Sequence, residues 1–335
     1  MTESSSLLRE APLGLEQIQR PVNPELDAVL DEIRRIVRPG FAPIEEVGDY
    51  LVEMRGKFFR PTLLLLADRV DGEPSEDAVS LAAVVELVHL ATLVHDDAVD
   101  HSVLRRGQPT VNALWTHQVA IIMGDYLYSR SVMELSRLGN LEAVRALARA
   151  SNDMSQGEMR QLTSHDALDF TEEDYYALIA CKTASLMAAA CEMGALSADE
   201  TYREPLRRFG HNLGMAFQIA DDLLDYTGVE EVTGKPSGQD LRERKVTLPL
   251  VEALRRATPD QKEEIRRFFS RVDPTDDEIA TIVAVVQEVG GLEYARAAAH
   301  TYGERAREAL SDLPPGSEAV ESLRTAVSYA VERSR

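Results

Sequence analysis

The sequence predicts an all-α, single-domain protein, and three observations carry that prediction. Apolar residues recur at helical spacing from Pro24 almost to the C-terminus. Ala and Leu abound while aromatic residues make up only 6% of the chain, which suits closely packed helices. No sustained period-two segment of Val, Ile and aromatic residues marks a sheet. The 335 residues are within reach of one large domain, and no linker divides them convincingly. Residues 1–24, polar and punctuated by Pro12, Pro21 and Pro24, read as a mobile arm, which leaves 25–335 as the helical domain.

Taken in order, PELDAVLDEIRRIV sets Leu26, Val29, Leu30, Ile33 and Ile36 on one stripe and ends near Pro39-Gly40. SEDAVSLAAVVELVHLATLVHDDAVD follows, with Ser75 in an N-cap-like position. This run is apolar on most faces, so a central helix is expected rather than a surface one. Further helices are expected at 114–137, 140–162, 171–196, 201–226, 246–255, 259–270, 276–288, 291–310 and 317–332. The longest polar break is TGVEEVTGKPSGQDLRERK, residues 227–245, and a polar loop of that length inside a compact domain is often functional.

With 36 basic and 57 acidic residues the formal net charge is −21, which argues against general nucleic-acid binding. Most of that acidity serves solubility. Any anionic ligand must then be met by metal ions or by a few well-placed Lys and Arg side chains. Cys181 and Cys191 match neither a disulfide framework nor a zinc spacing. The start, MTESSSLLREAPLGLEQ, lacks the basic end and apolar run of a signal peptide, and no run of about 18 uninterrupted apolar residues suggests a membrane span. A reducing, cytoplasmic location is expected.

Two acidic patterns match. Asp96, Asp97 and Asp100 end an apolar stretch as HDDAVD, and Asp221, Asp222 and Asp225 repeat the spacing in FQIADDLLDY. Residues four apart share a helix face, so Asp96 lies beneath Asp100 and Asp221 beneath Asp225. Like charges against apolar sequence repel and resist ionisation. A divalent cation removes that cost, and Mg²⁺ prefers carboxylate oxygens, water and substrate phosphates. A solvated helix end would explain one such triplet, but two make the metal reading the stronger. Asp276 and Asp277, which follow a proline and open a helix, simply suit the dipole and are assigned no function.

Two metal-binding clusters suggest a diphosphate, which calls for fixed cations as well. RGKFFRP supplies Lys57 and Arg60, and HSVLRRGQPT supplies Arg105 and Arg106. The polar loop adds Lys235, and Lys245 opens KVTLPL. Arg suits bidentate contact with phosphate oxygens, and Lys acts as a mobile point charge. Lys182 stands among small and apolar residues in ACKTASLMAAACEMGAL, either as a ligand or as a snorkelling side chain. His89, two turns before Asp96, is either a satisfied core group or a ligand. Gln218 either donates to a substrate oxygen or caps a buried carbonyl.

GKFFRP, LVHDDAVDHSVLRRGQPT, CKTA, GMAFQIADDLLDYTG, TGKPSGQDL and KVTLPL together resemble the trans-polyprenyl diphosphate synthase family, in that family's order, from about residue 50 to 250 and more loosely beyond. The resemblance is strongest to long-chain, quinone-tail members. It implies the isoprenoid synthase fold, a single-domain helical barrel around a deep central cavity, commonly a homodimer. It implies a prenyltransferase that joins isopentenyl diphosphate to an allylic diphosphate primer. Asp96, Asp97, Asp100, Asp221, Asp222 and Asp225 would hold three Mg²⁺ ions, with Mn²⁺ as a substitute. Arg105, Lys182, Thr183, Gln218, Lys235 and Lys245 would contact the allylic diphosphate. Lys57, Arg60, His89 and Arg106 would bind isopentenyl diphosphate. Asp96, Asp97, Lys182, Asp221 and Asp222 would be the catalytic set, stabilising charge on the departing diphosphate while apolar walls exclude water. Two positions depart from the family pattern: Arg55 and Arg244 stand where glycine is usual.

One turn before the first cluster, Ala91 and Thr92, with Val88 a further turn below, point toward where the growing chain should lie. Members making short products often carry aromatics at the first two positions. Small residues there imply a long all-trans product, hexaprenyl to decaprenyl, with a geranylgeranyl or farnesyl product as the alternative. An apolar product would need detergent, lipid or a transient membrane contact for release. A class I terpene cyclase would not need Lys57, Arg60 and Arg106, and a non-catalytic helical subunit would not need both acidic clusters.

Overall fold

The computed structural model describes residues 14–38, 40–54, 56–163, 167–227, 238–271 and 273–332. Helices dominate it. The long ones are α2 (Asn23–Val37), α3 (Ala42–Glu53), α4 (Phe59–Asp68), α5 (Ala78–Val99), α7 (His117–Leu138) and α8 (Leu141–Thr163). After a short α9 (Glu172–Ile179) come α10 (Ser185–Gly194) and α11 (Glu200–Thr227). Short pieces precede and separate these: α1 (Leu15–Gln19), α6 (Val111–Leu114) and α12 (Gln239–Arg242). The C-terminal third adds α13 (Leu248–Arg256), α14 (Pro259–Ser270), α15 (Asp276–Glu288), α16 (Gly291–Ala309) and α17 (Glu318–Glu332). Among the described residues the one strand pairing is a hairpin in which Leu104–Arg105 pairs antiparallel with Gln108–Pro109.

The expected central helix is α5. Its Leu81 to Val88 segment is buried residue by residue, and it packs against α7, α4 and α2. Helices Ala78–Val99 and Glu172–Gly194 are long and apolar enough to cross a membrane, but 72% and 61% of their apolar windows are buried inside the protein. Their hydrophobicity is used on the core. Ser75 does not cap α5 as its sequence position suggests. The helix starts at Ala78, and Ser75 donates its N–H and hydroxyl to the buried Asp68 at 2.8 and 2.7 Å.

Residues 14–24 correct the expectation of a mobile arm. Leu15–Gln19 is helical, Ile18 and Val22 are fully buried, and Gln19 donates to the Lys57 carbonyl and the Thr62 hydroxyl. Two buried side chains in so short a piece are too few to register as a periodicity.

Two apolar clusters form the core, and α11 contributes to both: Leu206, Phe209 and Leu213 to one, Ile219, Leu223 and Tyr226 to the other. It reaches α10 closely because Gly210 faces it; a Cβ there would lie 2.5 Å from the Met187 carbonyl oxygen. Asp276 and Asp277 open α15 behind a Thr275–Glu278 capping box, as a purely structural role requires. Cys181 and Cys191 are free thiols.

Candidate active site

Both acidic clusters sit at helix C-termini. Asp96 and Asp97 lie in the last turn of α5 with Asp100 as its C-cap, and Asp221, Asp222 and Asp225 fall in the last two turns of α11. Carboxylates there face the negative end of the helix dipole as well as one another. An arrangement so unfavourable calls for a cation. Asp100 and Asp222 line one cavity of about 990 Å³, together with Lys182, Thr183, Gln218, Asp240 and Lys245, so the two clusters meet across it.

Within each cluster one carboxylate is committed inward. Asp97 is 6% exposed and takes a fork from Arg105, whose Nε donates at 3.0 and 2.9 Å and Nη2 at 2.8 Å. Asp222, equally buried, accepts the Tyr175 hydroxyl at 2.6 Å and Gln218 Nε2 at 2.8 Å, while Thr183 donates to Gln218 Oε1 at 2.7 Å. Burial, with Asp240 nearby, pushes the Asp222 carboxyl well above the usual carboxylate range. Asp225 accepts the N–H groups of Gln239 and Asp240 at 3.0 Å each, capping the first turn of α12. Asp100 and Asp221 are exposed and Asp96 is half-buried. Burial pushes Asp96 up to about 6, with Lys182 pulling the other way.

Lys182 and Thr183 sit in a π-helical turn, Ala180–Ala184, between α9 and α10. The wider turn interrupts the α-helical spacing expected over 171–196, a feature often found at functional sites. From it Lys182 Nζ donates to Glu158 at 2.7 Å and Gln161 at 3.2 Å and stands 3.7 Å from Asp96. Lys182 thus has carboxylate company rather than snorkelling to water. Lys245 donates to Glu243 at 2.6 Å, and Lys235 lies outside the described residues, as does Arg55.

A second basic group lies beside the first cluster. Arg60 Nη1 and His89 Nε2 are 3.0 Å apart, and Arg60 Nε is buried with no partner among the described residues. Burial pulls Arg60 down to about 10 and keeps His89 well below its usual value, so His89 is neutral. An orphaned buried guanidinium N–H is a donor waiting for an anion. Arg106 folds over Gly56, where a Cβ would meet its guanidinium at 2.9 Å, and Lys57 is exposed nearby in sequence. Val88 and Ala91 are packed in the core, and Thr92 is half-buried with its hydroxyl on the His89 carbonyl at 2.8 Å.

Sequence reasoning missed Glu86, Glu158, Gln161, Tyr175 and Asp240. Glu86, 3% exposed and three residues before His89, is pushed up to about 7 by burial despite the pull of Arg60. A lone acid in an otherwise uncharged helical run was the signal available for it. Glu158 and Gln161 were marked only by their shared face three residues apart. The backbone around the site is strained: Phe58, His101, Arg106 and Arg244 all take left-handed φ, of 50°, 53°, 52° and 61°. Arg244 therefore adopts the conformation that a glycine would supply without strain.

The donor set fits a hard divalent cation. Among the described residues no three His, Cys, Asp or Glu side chains converge enough to cage an ion unaided. Carboxylates facing an open cavity suit an ion that completes its shell with water and substrate phosphate.

The fold and the paired clusters define the class: an all-α enzyme of the isoprenoid synthase fold. Residues 42–286 match the polyprenyl synthetase family, and the chain belongs to it. It is 37% identical over 294 residues to heptaprenyl diphosphate synthase component 2 of Geobacillus stearothermophilus, covering 87% of this chain and 90% of that protein. It is 39% identical over 301 residues to the all-trans-nonaprenyl-diphosphate synthase (geranyl-diphosphate specific) of Rhodobacter capsulatus, covering 89% and 92%. The crystal structure of a polyprenyl synthase from Caulobacter crescentus CB15, complexed with calcium and isoprenyl diphosphate, superposes with a TM-score of 0.90 at 35% identity over 97% of this chain and 99% of that one. The protein is a prenyltransferase of the polyprenyl diphosphate synthase kind.

Proposed function

We propose that the protein extends an allylic diphosphate with isopentenyl diphosphate, with Mg²⁺, to a long all-trans polyprenyl diphosphate of hexaprenyl to decaprenyl size. The observation that carries this reading is the cavity of about 990 Å³ on which both acidic clusters and Lys182 converge. Asp96, Asp100 and Asp221 would hold the metal, with Asp97 and Asp222 fixed behind them by Arg105 and by Tyr175 and Gln218. Bound there, Mg²⁺ would neutralise charge on the leaving diphosphate. Lys182 meets the same oxygens and steadies the charge that grows as the allylic carbon–oxygen bond breaks. Arg60, positioned by His89, takes the isopentenyl diphosphate and turns its double bond toward the allylic carbon. Phe170, Leu178, Ile179 and Val246 on the cavity wall exclude water that would capture the cation. The new carbon–carbon bond is completed by loss of a proton to the released diphosphate.

Labelled isopentenyl diphosphate, supplied with geranyl, farnesyl or geranylgeranyl diphosphate, tests the reading with Mg²⁺ and then with EDTA. Metal-dependent products of thirty carbons or more would support it. Shorter products would favour the geranylgeranyl or farnesyl alternative, and no incorporation into folded protein would favour a non-catalytic subunit or a cyclase.

The reading includes a homodimer. Exposed Ile121, Ile122, Val132 and Met133, at 50%, 61%, 43% and 59%, line one side of α7 and suit burial against a second copy. The likeness to a protein named as a component favours one other arrangement, a pair with a different helical subunit. Light scattering on the purified chain separates the two: twice the chain mass supports the homodimer, and a monomer without activity supports the heteromer.

A further inference from the structure

His101, on the wall of the cavity, and His117 beside it are two side chains that the proposed reaction leaves unused. His101 Nδ1 and His117 Nε2 stand 3.2 Å apart, with ring centroids 4.8 Å apart and planes at 77°. Each is placed by its own backbone. His101 follows Asp100 in a left-handed conformation, and His117 opens α7 behind the Thr116 cap, whose side chain accepts from the Val119 N–H at 3.1 Å. Both rings are exposed.

A hydrogen bond between two neutral imidazoles needs opposite roles for the facing nitrogens, and 3.2 Å is at the long end of that range. The same separation lies inside the span of about 2.9–3.4 Å set by two nitrogens, each about 2.0–2.1 Å from one ion, at angles from octahedral to tetrahedral. Near-perpendicular planes let both rings approach one ion without collision. We propose that His101 and His117 form a binding site for a borderline transition ion of the Zn²⁺ or Cu²⁺ class, with water in the remaining positions. Imidazole donors separate it from the carboxylate site, which prefers Mg²⁺. An ion held there ties the segment after Asp100 to the start of α7. The inference stands independently of product length and of the reaction itself.

Cu²⁺ titrated into the full chain, in excess Mg²⁺ and followed by electron paramagnetic resonance, tests the site. The expected result is one copper ion with nitrogen hyperfine structure. His101→Ala or His117→Ala should weaken its binding by about tenfold or more, while Asp96→Asn leaves the nitrogen signal in place. Circular dichroism confirms that each variant folds. A spectrum without nitrogen coupling, or a nitrogen-coupled copper unchanged in the folded double alanine variant, overturns the proposal.

Discussion

Arg105 binds both oxygens of Asp97, so the middle carboxylate of the first cluster faces a guanidinium rather than the open cavity. The fork ties the Leu104–Arg105 strand of the hairpin to the end of α5. Asp97 then acts through the placement of its neighbours. Asp96→Asn should cut turnover by about 10³-fold and raise the Mg²⁺ needed for half-saturation. Arg105→Lys, which keeps the charge but loses the fork, should cost about 10–10²-fold with little change in that Mg²⁺ requirement. Steady-state rates across a Mg²⁺ titration decide the matter. If Asp97→Asn moves half-saturation as far as Asp96→Asn does, Asp97 is itself a ligand.

Tyr175 plays the corresponding part in the second cluster. Its hydroxyl, fully buried, bonds Asp222 at 2.6 Å across 47 residues of sequence. Tyr175→Phe leaves one carboxylate oxygen without its donor, at a cost of about 1.5–3 kcal/mol in stability. A Tm lower by a few degrees and turnover reduced by about tenfold are expected, measured by thermal melts and product assay. An unchanged melt with unchanged turnover would remove the positioning role.

How far the sequence reaches is set by the range of each interaction. The acidic triplets were legible because their spacing is local, and so were α8, α11, α14 and α15, whose ends fall within two residues of expectation. The commitments of those acids were not legible. Asp222 meets Tyr175 and Lys182 meets Glu158 only after the chain has folded, and neither pairing has a sequence period. The π turn at Ala180–Ala184 escaped for a different reason: one wider turn hardly disturbs a run of small residues that would suit any helix. For His89 the sequence allows either a core group or a ligand, and the structure makes it the neighbour of Arg60.

Asp96 and the pH of metal binding are linked. Its folded pKa of about 6 lies above the 3.8 of a free Asp, so between those values the folded protein keeps a proton that the unfolded chain has lost. Without metal its contribution to stability is therefore full below about 4 and is lost as pH rises through 6. Metal binding needs the carboxylate, so stabilisation by Mg²⁺ should grow over the same interval. Melting curves in EDTA and in Mg²⁺ should diverge as pH rises toward 6, and the divergence should shrink in Asp96→Asn. Parallel curves for wild type and variant would detach Asp96 from the metal.

Thr92 offers the sharpest test of product length. Of the three residues expected at the floor, Val88 and Ala91 are 1% and 3% exposed and locked in the core, whereas Thr92 is half-buried. A Phe at Ala91 must overpack the core at a cost of about 1–3 kcal/mol, and a changed product there would mix folding with function. Thr92 shares a helix face with Asp96 and is not sealed into the core as the other two are. Thr92→Phe should therefore shorten the product by several isoprene units, with total isopentenyl incorporation reduced less than about tenfold. Reversed-phase sizing of dephosphorylated products reads this directly. A full-length product from Thr92→Phe would place the growing chain along another wall of the cavity.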